Sequence, residues 1–106
     1  MSAFTATSVA SASQSPLRGF PVAGARHATV TVNMQTGTFT LIARGLQSGG
    51  TYYLQLHTIG RTGASVVGSG VADQWGQVVI TGKLDISQLQ QLDQNNADFI
   101  IGQHVL

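Results

Sequence analysis

The chain predicts an all-β domain: an antiparallel β-sandwich, jelly-roll or immunoglobulin-like, of about six to eight strands with one short helix near residues 85–92. Three observations point there. Short runs that alternate apolar and polar residues recur between glycine-containing loops from residue 28 onward. Only the segment 85–92 carries apolar residues at helical spacing. Charged residues are 8% of the 106, against roughly 25% in an average soluble domain, while 42% of the chain is hydrophobic. That balance favours collapse over disorder.

The first thirteen residues alternate weakly. Phe4, Ala6, Ser8 and Ala10 share one face, and Thr5, Thr7, Val9 and Ser11 the other, with almost no large core side chain. Residues 14–25 hold Pro16, Gly19, Pro21 and Gly24 and read as an irregular connector. The expected division is an extended arm with its connector over 1–25 and a sandwich domain over 26–106.

From Ala28 the signal sharpens. Val30, Val32 and Met34 alternate with Thr29, Thr31 and Asn33, then Gln35-Thr36-Gly37 turns the chain. Phe39, Leu41 and Ala43 alternate with Thr38, Thr40 and Ile42. The two runs predict a β-hairpin with one face in a core and one in water. A strand follows over 51–57, with Tyr52, Leu54 and Leu56 inward and Tyr53, Gln55 and His57 outward. Residues 65–72 predict a strand in which Gly68 and Gly70 mark a bulge or close packing of another backbone. Asp73-Gln74-Trp75-Gly76 reads as a hairpin turn, with a return strand over 77–81. Asp85 caps a short helix that carries Ile86, Leu89 and Leu92 on one face. A last strand combines Phe99-Ile100-Ile101 with His104-Val105-Leu106.

Two stretches carry a resemblance. Ala28 to Leu46 (ATVTVNMQTGTFTLIARGL) resembles the opening hairpin of chordin-type (CHRD) domains, and Gly82 to Leu92 (GKLDISQLQQL) followed by Phe99-Ile100-Ile101 resembles their helix and final strand. The hairpin followed by Thr51-Tyr-Tyr-Leu-Gln-Leu is also similar to the C-terminal sandwich domain of anti-sigma factors. The likeness spans residues 28–102. It implies a non-catalytic antiparallel sandwich, often on an extracellular surface. Where CHRD domains carry a His-x-His-like element, this chain has Gln55 and His57.

Charge and motif chemistry exclude several function classes. Five Lys/Arg against four Asp give a net charge of +1, with no two charged residues adjacent. A phosphate-tracking nucleic-acid grip or polybasic membrane patch needs clustered cations. No segment approaches the ~20 apolar residues that span a bilayer, and the N-terminus lacks the basic and apolar regions of a secretory signal. With no cysteine, a metal site would need convergence of His27, His57 and His104, whose spacing is not that of a ligand set. Asp85, Asp93 and Asp98 with Asn95 and Asn96 supply oxygens but not the glycine turn and bidentate Glu of a calcium loop. Gly68-Ser69-Gly70 is not a nucleophile elbow, and Gly60-Arg61-Thr62-Gly63 is not a phosphate loop. The expectation is a non-enzyme with no catalytic residue, metal or cofactor.

Neutral strands rich in Thr, Ser, Gln and Asn tolerate packing against copies of themselves, because little charge must be desolvated. The leading expectation is a structural subunit that self-assembles into a filament or other surface assembly of a cell or spore. Its arm, through Phe4, Ala6, Ser8, Val9 and Ala10, adds as a strand to a neighbouring subunit. Pairing of that arm within its own sheet is the competing reading. The alternative function is a monomeric binding module that recognises a peptide or carbohydrate through Tyr53 and Trp75. Against it, Trp75 can fold back over its turn and cover the core edge.

Overall fold

The computed structural model describes residues 15–106. Seven strands and one helix follow in order: β1 (Leu17–Ala23), β2 (His27–Asn33), β3 (Thr38–Arg44), β4 (Thr51–Thr58), β5 (Ser65–Val71), β6 (Val78–Lys83), α1 (Ile86–Asp93) and β7 (Ala97–Gly102). The expected mostly-β class with one short helix is present. The expected stack of two purely antiparallel sheets is not. The strands form a single seven-stranded sheet in the order β5-β4-β7-β1-β2-β3-β6, which curls until its end strands β5 and β6 face each other. The result is a nearly closed, barrel-like sheet.

β1 makes the sheet mixed. Leu17 to Pro21 pair antiparallel with β2, and then Val22 and Ala23 pair parallel with Phe99 and Ile100 of β7. The segment expected to be an irregular connector is therefore, from Leu17 to Ala23, a central strand. Pro21 explains both the misreading and the geometry. It has no N–H to donate, and it stands where β1 leaves one neighbour for the other. The arm residues Phe4, Ala6, Ser8, Val9 and Ala10 lie outside the described residues.

The β2–β3 hairpin forms as expected. Val30 and Val32 pair with Leu41 and Phe39, and all four are buried. The turn is closed by Asn33, whose side-chain Oδ1 accepts from the N–H groups of Gln35 (2.9 Å) and Thr36 (3.1 Å). Gly37 supplies the φ of +86° that ends it. The core is filled by Leu54 and Leu56 of β4, Ile80 of β6 and Phe99 and Ile101 of β7, together with the hairpin residues. Phe20 meets Phe99 edge-on at 5.9 Å between ring centres.

α1 begins as its sequence implies. Asp85 accepts from Gln88 N–H at 2.8 Å, and the Gln88 side chain accepts from Asp85 N–H at 2.9 Å, a reciprocal capping box. Leu92 is buried and Leu89 packs beside the β2–β3 turn, near Gly37.

The turn at Asp73 corrects a second expectation. Asp73 N–H bonds Gln77 C=O, and Asp73 Oδ1 accepts from Trp75 and Gln77 N–H, so the turn is tight. Yet the strands it joins are β5 and β6, which occupy opposite ends of the sheet. It is an arch between the two end strands of one curled sheet, not a hairpin. The strand glycines show why those strands meet: a Cβ on Gly68 would sit 2.6 Å from Ile80 Cγ2, and one on Gly70 2.9 Å from Val78 Cγ2. The bulge reading holds beside Gly68, where the β4–β5 register shifts between Leu54 and Gln55, while the close neighbours of both glycines are side chains of β6 rather than its backbone. The final segment differs from expectation too. β7 ends at Gly102, and residues 104–106 leave it as a tail.

Candidate functional site

The two end strands of the sheet, β5 and β6, each pair on one side only. β5 and β6 are packed face to face but share no ladder, so each has one row of backbone N–H and C=O groups without a strand partner among the described residues. β5 carries no charged residue, and β6 carries only Lys83, at its last position. Val66 (45% exposed) and Val71 (62%) lie on β5, Val79 (54%) on β6, and Trp75 (79%) on the arch between them. Exposed apolar side chains on uncharged edge strands are the combination that soluble proteins usually avoid.

The two edges are not equivalent. β5 is bulged against β4, and a bulge twists an edge away from further pairing. β6 pairs with β3 over six consecutive residue pairs, Thr38↔Lys83 to Ala43↔Val78, without a shift. Its outward face continues that of β3: Val79 sits beside Ile42, and Thr81 beside Thr40.

Tyr53 and Trp75 are on separate elements. Tyr53 is half-buried on β4, between Ser69 of β5 and Gly102 of β7. Trp75 projects from the arch and does not fold back over the core edge. Concavities open between the β2–β3 turn and α1, beside Phe20 and Leu92, and at the start of β2, and neither aromatic lines any of these.

The histidines do not converge. Among the described residues no three His or Asp side chains gather as a metal would require. His57 is held within the fold: its Nδ1 lies 3.2 Å from Asp98 Oδ1 on β7, and its Nε2 2.9 Å from Arg61 C=O in the following loop. Both partners only accept, so the doubly protonated ring serves both and a neutral ring serves one. His104 belongs to the tail.

Alternation assigns the face of Gln55 correctly and misses its burial. Gln55 faces outward on β4 yet is only 1% exposed. Its Nε2 donates to His104 C=O at 3.1 Å, and its Oε1 accepts from Leu106 N–H at 2.9 Å. The tail thus covers the outer face of β4. Its signal is absent from local sequence, because the partners are 49 and 51 residues away. No helix among the described residues is long and apolar enough to cross a membrane. No family model matches the chain, and no curated protein or solved structure matches it.

Proposed function

We propose that the chain is a non-enzymatic structural subunit that self-assembles into a filament or other surface assembly, its N-terminal arm adding as a β-strand to the β6 edge of a neighbouring subunit. One observation carries the reading: β6 is an unbulged end strand, free of charge except at Lys83, with Val79 exposed beside Ile42. An added strand would satisfy the open backbone row and cover these two side chains. An arm on one subunit docking on the next makes a head-to-tail contact, which closes into a ring or continues as a filament.

The arm begins to count as an arm only before β1. Removing residues 1–25 would delete a central strand, so the truncation that tests the reading removes residues 1–14. Negative-stain electron microscopy and light scattering on the intact chain should show filaments or rings. The 1–14 deletion and the full-length Val79→Lys variant should both remain small. Monodisperse monomers from the intact chain at high concentration overturn the proposal.

The exposed indole of Trp75 favours a second reading, a binding module for a peptide or carbohydrate. It predicts a monomer whose Trp75 fluorescence saturates with ligand.

A further inference from the structure

A positively charged concavity opens where β2 begins and β3 ends. It is an open depression of about 620 Å³ lined by Arg26, His27, Ala28, Thr29, Ile42 and Arg44. The hairpin register builds it. His27 lies directly opposite Arg44, and Thr29 opposite Ile42, while Arg26 immediately precedes β2. An anion seated between Arg26 and Arg44 would be held by both guanidinium groups.

The chain itself does not provide one. It has four acidic side chains, and each is engaged elsewhere. Asp93 pairs with Arg18 and Asp98 with His57. Asp73 holds the arch turn and Asp85 caps α1. Among the described residues neither Arg26 nor Arg44 makes an ion pair, and no carboxylate lines the concavity. Two of the chain's five Lys/Arg are therefore gathered in one hollow with a histidine and a hydroxyl.

We propose that the concavity of Arg26, His27, Thr29, Ile42 and Arg44 is an oxyanion site that takes the phosphate group of a small phosphorylated ligand. Guanidinium groups present a planar fork that matches phosphate oxygens bidentately. The Thr29 hydroxyl adds a neutral donor. Ile42, 45% exposed, offers an apolar wall for the non-phosphate part of the ligand. Two arginines are too few to track a nucleic-acid backbone, which limits the ligand to one phosphate group at a time. The site does not depend on the assembly reading.

The test is equilibrium dialysis of the full chain against radiolabelled inorganic phosphate at constant ionic strength. Saturable binding near one phosphate per chain is expected. Arg26→Gln and Arg44→Gln should each weaken it by about tenfold or more, and the double variant should abolish it. Arg61→Gln, which removes an exposed cation elsewhere, should leave it unchanged. All three positions are exposed, and a thermal melt of each variant checks that the fold persists. Competition by glycerol phosphate, set against flotation with phosphatidylcholine vesicles containing phosphatidic acid, separates a soluble ester from a lipid headgroup. Either source keeps the site. Absence of saturable binding, or equal loss in Arg61→Gln and Arg44→Gln, overturns it.

Discussion

Closure of the sheet presses Gly68 and Gly70 of β5 and Gly82 of β6 into the seam between those strands, and Gly68→Ala puts that to a numerical test. The added Cβ would lie 2.6 Å from Ile80 Cγ2 and 3.6 Å from Phe39 Cζ. Carbon pairs rest at about 3.5–4.0 Å, so the first contact overlaps by about 1 Å. Ile80 is 2% exposed and Phe39 3%. A β-branched side chain is stiff at χ1, and Phe39 stands close behind. Relief therefore requires β5 to lift from β6. Overpacking of this kind costs about 1–3 kcal/mol. Loss of glycine's freedom in the unfolded chain returns about 0.4–1 kcal/mol. Taking the middle of each range, the net expectation is a loss of about 1.3 kcal/mol, or a Tm lower by about 5–10 °C.

The control is Gly102→Ala on β7, where a Cβ meets nothing within 4 Å; it should be neutral or slightly stabilising. Gly70→Ala, with contacts at 2.9 and 3.3 Å, should fall between the two. Urea unfolding of all three variants, with m-values to confirm two-state behaviour, gives the order. If Gly68→Ala is as stable as Gly102→Ala, β5 does not rest on β6, and the argument for a nearly closed sheet fails.

Three other outcomes are expected. Asp85→Ala removes one side of the capping box and should cost about 1 kcal/mol, read from the urea midpoint. Gln55→Leu leaves His104 C=O and Leu106 N–H without their partner, which should cost about 1–3 kcal/mol and speed hydrogen exchange at Leu106. Arg18→Ala breaks an ion pair whose side chains are 41% and 72% exposed. It should change stability by under about 1 kcal/mol, with any effect fading in salt.

The elements that were legible in sequence are those whose partners are close in the chain. β3 alternates buried and exposed without a break, and Asn33 and Gly37 place its turn. α1 announces itself through Asp85 and Gln88, three residues apart. β1 was hidden because Gly19 and Pro21 are loop-like by composition, and because its parallel contact with β7 involves residues on opposite sides of the domain's sequence. The arch at Asp73 has the local chemistry of a hairpin turn. What separates the two is whether β5 and β6 exchange hydrogen bonds, and that is decided by β4 and β3, which claim them as neighbours. The glycines were the available clue. A strand with hydrogens at Gly68 and Gly70 is suited to lying flat on another strand.

The site was legible in one half and illegible in the other for a related reason. An edge without charge can be read from composition alone, since nothing between Asp73 and Lys83 could protect β6 wherever it lay. A charge cluster, by contrast, is usually sought as neighbours in sequence, and none of the Lys/Arg are adjacent. In a sheet the relevant neighbour is set by register. Once the turn is placed at residues 35–37, antiparallel pairing brings His27 to Arg44 and carries Arg26 alongside. Charge scarcity sharpens the consequence. In a chain with abundant Asp and Glu, two arginines in one hollow would find an internal partner. Here the four carboxylates hold Arg18, His57, the arch and the helix start. An anion drawn to Arg26 and Arg44 therefore meets no competing carboxylate of the chain in the hollow.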